Sequence, residues 1–199
     1  LTADIDPRHS GAEAWAISGA WNSKIGGLHT AKGEKISESI PTSNFATWWD
    51  GDLLREVTDH NFDEAKGAGA GTIDKWDYEN GKLVNLLTAE GTLSNNGTKG
   101  SPALQADLFG DWREEIIWRT EDSSALRIFM TTEKTDHRIF TLMHDPQYRL
   151  AIAWQNVGYN QPPHPSFFIG EGMKKPSAPN IDVVEIKRPD KTAPETLHE

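Results

Sequence analysis

Three stretches of the chain set carboxylates around a tight turn, a pattern whose chemistry is the binding of a hard cation. The first is Asp4-Ile5-Asp6-Pro7, followed by Gly11 and Glu13-Ala14-Trp15-Ala16-Ile17. The second is Trp48-Trp49-Asp50-Gly51-Asp52, followed by Arg55-Glu56-Val57, and the third is Asp107-Leu108-Phe109-Gly110-Asp111, followed by Glu114-Glu115-Ile116-Ile117-Trp118. In the last two, a glutamate stands four residues after the Gly-Asp aspartate and a β-branched residue follows it. Closely spaced Asp, a Gly for the tight backbone and a downstream Glu supply the oxygen ligands that Ca²⁺ prefers. Asp4, Asp6, Asp50, Asp52, Asp107 and Asp111 are therefore candidate calcium ligands. The same aspartates also suit turn capping, in which each bonds its own backbone.

Two further segments could meet a ligand. Residues 93–102, Leu-Ser-Asn-Asn-Gly-Thr-Lys-Gly-Ser-Pro, are mostly small or polar turn formers with one long cation, Lys99, in the middle. They read either as a surface hairpin or as a rigid loop presenting Asn, backbone N–H groups and a Lys to an anion. In residues 152–164, Asn156, the Gly158 carbonyl and Asn160 alternate. On an extended backbone the two amides face one side, and such neutral oxygens suit Ca²⁺ when an acidic residue from elsewhere completes the set.

The elements that must hold these groups read as short strands fenced by Gly, Pro, Asn and Asp. Candidate strands are 13–18, 26–31, 46–49, 72–77, 83–88, 115–119, 125–131, 149–155 and 166–170. Asn80-Gly81 marks a hairpin between two of them. No amphipathic helix of normal length is expected. The acidic units recur with a period of about 50 residues, the range of propellers and other arrays, and four short antiparallel strands per unit is the economy of a propeller blade. The expected fold class is all-β, a β-propeller of about three to four blades that forms part of a larger ring, because an open sheet edge needs a partner. Residues 174–199, rich in Pro and charge, read as a tail or linker with one last strand at 181–186.

Composition excludes several functions. With 30 acidic against 20 basic residues, the net charge of −10 argues against nucleic acid, which needs basic clusters. There is no cysteine for disulfides or thiolate metal sites. His137, His144 and His164 lack zinc spacing, and neither a Gly-x-Ser-x-Gly elbow nor a phosphate loop occurs. No apolar run is long enough for a transmembrane helix. The sequence opens without Met, so any targeting segment is expected outside it. The eight tryptophans suit packing between sheets or stacking on sugars.

The runs 106–115, 135–149 and 154–164, with the Asp4-Ile5-Asp6-Pro7-Arg8 opening and the Asn-Asn-Gly-Thr-Lys loop, resemble the rhamnogalacturonan lyases of polysaccharide lyase family 11. The resemblance covers residues 1 to about 173, and only the C-terminal part of the family's catalytic domain. It implies an eight-bladed, calcium-binding β-propeller of which residues 1–173 supply the last three to four blades. It also implies β-elimination on the rhamnogalacturonan I backbone, cutting the bond from rhamnose to O4 of galacturonate. Lys99 and Arg8 are then the pair nearest the chemistry, Asn96, Gly97, Thr98 and Tyr159 touch sugar, and Asn156, Gly158 and Asn160 bind calcium near the cleft. Lys99 enters as base or as electrostatic stabiliser, since a lysine's ordinary pKa near 10.4 must fall far before it can serve as base. The implied location is secreted or periplasmic, and the implied partner is the N-terminal part of the propeller. The alternative reading is a non-catalytic, calcium-stabilised module that binds pectic polysaccharide or protein.

Overall fold

The computed structural model describes residues 1–17, 26–158 and 160–182. They form three four-stranded antiparallel sheets in chain order, with little helix. The first sheet orders β1 (Thr2–Ala3), β2 (Glu13–Ala14), β3 (Leu28–His29) and β4 (Lys35–Ser37) as a meander. The second orders β5 (Phe45–Thr47), β6 (Glu56–Asp63), β7 (Ala68–Asp77) and β8 (Lys82–Thr88) in the same way. The third holds β9 (Thr92–Leu93), β10 (Leu104–Ala106), β11 (Glu115–Thr120) and β12 (Leu126–Phe129). No sheet closes on itself. Among the described residues, no helix is long and apolar enough to cross a membrane.

The third sheet departs from the meander. Both β9 and β10 lie along β11, Leu93 facing Arg119 and Leu104 facing Ile117. They behave as one strand interrupted by residues 94–103, which loop out opposite Trp118. This excursion is the segment whose small polar residues stood out in the sequence.

Apolar residues join neighbouring sheets. Ala3, Ile5, Trp15 and Leu28 pack with Val57 and Trp76, joining the first sheet to the second. Trp49 and Ile73 pack with Ile116 and Trp118, joining the second to the third. Gly71 makes the second contact possible, because a Cβ there would come within 2.2 Å of the Trp118 ring. Trp15, Trp48, Trp49, Trp76, Trp112 and Trp118 are all buried, so these six serve packing rather than sugar stacking. Truncating such a side chain to Ala costs about 3–5 kcal/mol.

Several sequence expectations need correction. Residues 149–155 are not a strand. Pro146–Trp154 form helix α1, because the Asp145 side chain accepts from the Tyr148 N–H and Pro146 takes the first turn, where no N–H is needed. Tyr148 and Ala151 turn inward at helical spacing while Leu150 and Trp154 stay exposed, so the run of apolar residues mimicked a strand only in composition. Residues 166–170 form no strand, and the expected last strand at 181–186 runs largely outside the described residues. β6 is a strand beyond those expected, because Phe62 is the one apolar residue in its second half, Asp59–Asp63. The hairpin at Asn80-Gly81 is present, with Gly81 at φ 62° joining β7 to β8.

Candidate functional site

The acidic turns connect β1 to β2, β5 to β6 and β10 to β11, and one device closes all three. The first residue of β2, β6 and β11 is a glutamate, and its Oε2 accepts two consecutive N–H groups of the turn. Glu13 takes Ile5 and Asp6 at 3.0 and 3.1 Å. Glu56 takes Trp49 and Asp50 at 2.9 and 3.4 Å, and Glu115 takes Leu108 and Phe109 at 2.7 and 3.0 Å. The turns are also linked to each other, Arg55 N–H donating to the Asp4 carbonyl and Glu114 N–H to that of Trp48. Between the second and third turns lies a buried ion pair, Arg55 to Glu114 at 3.3 Å. Glu114 accepts further from Tyr148 Oη, Gln105 Nε2 and Trp48 N–H, so the carboxylate is fully engaged.

The remaining carboxylates are satisfied differently in each turn. In the second, Asp50, Asp52 and Glu56 converge, with oxygens within 4.8 Å of one another. The Lys75 ammonium lies against all three, at 2.6 Å from Asp52 and 3.2 Å from Glu56. Burial, with Asp50 beside it, pushes the Glu56 carboxyl up to about 8. Burial also works against the Lys75 charge, but the surrounding carboxylates outweigh it and raise its pKa. In the third turn Asp107 accepts from Gly110 N–H, Thr141 Oγ1 and Leu142 N–H, while Asp111 pairs with Arg113. In the first, Asp6 pairs with Arg8. Asp4 accepts from Glu171 N–H at 2.6 Å through Oδ2 only. Its Oδ1 and the Oε1 of Glu13 are buried without a partner. Burial, together with the charges of Glu13, Glu171 and Asp52, pushes Asp4 up to about 7.

The opposite end of the sheets is held mostly by side-chain amides and backbone carbonyls, with Asp59, His60 and Lys99 among them. The excursion at 94–103 is pinched by Asn95 N–H to the Ser101 carbonyl at 2.8 Å and contains a 3₁₀ turn, Gly97–Lys99, flanked by left-handed Asn96 and Gly100. Side-chain amides hold its backbone. Asn156 donates to the Pro102 carbonyl at 3.0 Å and Asn160 to that of Lys99. Asn44 donates to the Thr98 carbonyl at 3.3 Å and to Asp59 Oδ1 at 2.8 Å. Gly100 is required, because a Cβ would lie 2.6 Å from Asp59 Oδ1 and φ is 63°. Below the turn, His60 Nδ1 meets Ser94 Oγ at 2.5 Å, and Ser94 N–H donates to the Gly69 carbonyl.

The structure therefore gathers Asn96, Gly97, Thr98, Lys99, Asn156 and Asn160, with Asn96 donating to Asn160 Oδ1 at 3.4 Å. Tyr159 lies outside the described residues. The expected extended backbone is corrected at 156–158. Val157 N–H donates to the Trp154 carbonyl and Gly158 has φ 78°, so the segment is the coiled exit of α1. Both amides nonetheless turn to one partner, the excursion. Arg8 is not with them. It chelates Asp6, donates to the Tyr78 carbonyl at 2.8 Å and sits 5.1 Å from the Tyr78 ring centroid. Tyr78 follows β7 at the acidic-turn end, where Val57 pairs with Asp74, whereas the excursion meets Gly69, which pairs with Phe62. Five residues of strand, about 17 Å, separate these levels, so the expected pairing of Arg8 with Lys99 is not made. Asn44, Asp59 and Lys75 carried no sequence signal, because each acts through residues far away in the chain.

This arrangement can be set beside known proteins. The model of the rhamnogalacturonan lyase family 11 C-terminal domain matches residues 1–179. The chain is 58% identical over 189 residues to rhamnogalacturonan exolyase YesX of Bacillus subtilis, covering 94% of this chain and 31% of that protein. It is also 58% identical over 182 residues to rhamnogalacturonan endolyase YesW of the same organism, covering 91% and 26%. The crystal structure of exotype YesX superposes with TM-score 0.84 at 59% identity, over 90% of this chain and 30% of that one. The chain thus spans about 30% of the length of these relatives. It belongs to rhamnogalacturonan lyase family 11, matching that family's C-terminal domain.

Proposed function

We propose that this chain is the C-terminal part of a rhamnogalacturonan lyase that cuts the bond from rhamnose to O4 of galacturonate by β-elimination. The observation that carries the reading is 58% identity along 94% of the chain to a protein named for that activity. Three consecutive four-stranded sheets joined by tryptophan cores are what blades of a propeller require, and the rest of the ring would come from the part of the relatives that this chain does not span. For the isolated chain that shortfall favours the second reading, a non-catalytic module, since the cleft needs walls from elsewhere. The expected location is secreted or periplasmic.

In β-elimination a base takes the C5 proton, that electron pair forms the C4=C5 bond, and the C4–O4 bond breaks as O4 takes up a proton. The C5 proton becomes acidic only when the neighbouring carboxylate is neutralised. In our reading Lys99 stands nearest these events, on a turn whose backbone Asn44, Asn156 and Asn160 hold in place. Asn96, Gly97, Thr98 and Tyr159 contact the sugars. Arg8 takes no step, because its partners Asp6 and Tyr78 belong to the other end of the sheets.

Calcium is the cation we assign. Hard oxygen donors fit it. Asp4 and Glu13, each with an unpartnered buried oxygen, and Asp50, Asp52 and Glu56 would hold it at the turns. Asn156, the Gly158 carbonyl and Asn160 would do so beside the excursion. Calcium bound there would supply positive charge toward the uronate carboxylate.

The test is the ultraviolet absorbance of the new C4=C5 bond conjugated to the carboxylate, produced from rhamnogalacturonan I by an intact lyase carrying this domain. Lys99→Arg separates the two roles of Lys99. Arginine keeps the charge but cannot act as a base, so retained turnover makes Lys99 an electrostatic stabiliser and lost turnover makes it the base.

A further inference from the structure

We propose that the cleft between β6 and the Gly97–Lys99 turn is a subsite for a neutral sugar ring, with Phe62 as its platform and Asn44, Asp59 and Thr98 as its polar wall. The proposal rests on the lyase reading and adds to it residues that neither the family resemblance nor the recurring motifs assign.

The cleft follows from the strand lengths. β5 pairs with β6 only from Phe45–Thr58 to Thr47–Glu56, so the Asp59–Asp63 half of β6 lacks a β5 neighbour on that edge. A cleft of about 360 Å³ opens there, lined by Asn44, Asp59, His60, Phe62 and Thr98. That volume lies within the range of small-ligand sites, roughly 300–1,000 Å³. Thr98 belongs to the turn that carries Lys99, so an occupant of this cleft adjoins the proposed reaction centre.

The lining has the two surfaces that a sugar ring presents, an apolar C–H face and an edge of hydroxyls. Phe62 is 44% exposed at the outer end of a strand whose first three residues are buried. Two residues earlier on the same face, the nearly buried His60 ring stands 5.3 Å from it at 46° and props it outward. Folding leaves this aromatic face wet, an arrangement that suits a ligand with an apolar side. Asp59 is held by Asn44 Nδ2 and by the His60 N–H at 2.9 Å, so its carboxylate is a fixed acceptor for hydroxyl groups.

Charge selects the class of sugar. Among the described residues of the lining, Asp59 is the carboxylate and neither Lys nor Arg occurs. A uronate placed against Asp59 would meet like charge, which costs binding energy. A neutral ring meets no such cost, and a 6-deoxyhexose adds a methyl group to the apolar side.

The experiment is calorimetric titration of an intact lyase carrying this domain, in a Lys99→Ala background so that the sugar is not consumed. The probe is a set of oligosaccharides of alternating rhamnose and galacturonate. Phe62→Leu keeps an apolar side chain against His60 but removes the flat face, and should weaken binding by about tenfold, 1.4 kcal/mol. Phe62→Tyr should bind like the parent. If Phe62→Leu binds as tightly as the parent, the subsite is refuted. Product formation by the protein with Lys99 intact tests the lyase reading separately. Absent product with weakened Phe62→Leu binding removes that reading and keeps the subsite, and the converse removes the subsite alone.

Discussion

The two ends of the sheets are built from opposite materials. At the turn end, charge is buried, the same carboxylate-to-backbone closure occurs three times through Glu13, Glu56 and Glu115, and the turns bond to one another. At the excursion end amides and carbonyls do most of the holding, beside the single carboxylate Asp59, and the construction occurs once, in an interrupted strand of the third sheet. A device repeated in every sheet answers a need that every sheet has, which is to satisfy the turn N–H groups left over when short strands end. A device present once answers a need of the molecule as a whole. The repeated acidic turns therefore carry stability, and the unrepeated excursion carries the proposed chemistry.

The largest effect that could break this division is at Glu114. Removing it leaves the buried Arg55 guanidinium with only neutral partners, the Pro163 carbonyl, His164 and the Trp48 ring, and takes an acceptor from Tyr148 Oη and Gln105 Nε2. Glu114→Ala should cost about 3–5 kcal/mol of stability, measured by denaturant unfolding. A variant of normal stability that had lost turnover would move chemistry to the turn end.

Calcium comes next. Asp4 and Glu13 carry buried oxygens without partners, and an ion bound only by the folded state adds about 2.7 kcal/mol at a hundred times its dissociation constant. Chelation with EDTA should lower the melting temperature and added Ca²⁺ should restore it. An unchanged midpoint would remove calcium from the turns. Lys75 sharpens the comparison, because it already places a cation among the carboxylates of the second turn. Asp50→Asn should therefore shift calcium-dependent melting less than Asp4→Asn does.

The smallest effect is at His60. Burial lowers its pKa, against the attraction of Asp59. The unfolded state, with an ordinary histidine pKa near 6.5, binds the proton first, so stability falls as pH drops below about 6.5 toward the lowered folded value. The loss is at most about 1.4 kcal/mol per pH unit. Asp59, raised by burial, titrates in the opposite sense, so the histidine contribution is read as the difference between parent and His60→Gln melting curves. If the two fall in parallel from pH 7 to about pH 5, His60 is not the titrating group.

Much of the turn end was legible in the sequence because its logic is local. Asp, Gly and the glutamate that follows lie within one short segment, and their recurrence announced both the repeat and the oxygen-rich turns. The excursion was legible as composition, since Asn, Gly and Thr around Lys99 do not build a core. Its bed was not legible. Asn44 and Asp59 reach Thr98 and Gly100 across sheet neighbours, and nothing in the composition of residues 44 or 59 announces that contact. The resemblance brings Arg8 and Lys99 together, whereas Arg8 contacts Tyr78, just past one end of β7, and the excursion that carries Lys99 meets Gly69 near the other. Helix α1 hid behind an apolar run, although Asp145-Pro146 carries a helix-start signal that is readable without a structure.

The most direct test of the division is Lys99→Ala in an intact lyase carrying this domain, with turnover and melting temperature measured on the same preparation. The account predicts a fall in kcat of more than tenfold, at least about 1.4 kcal/mol of barrier, with the melting temperature unchanged. Retained turnover, or turnover lost only in step with unfolding, would contradict it.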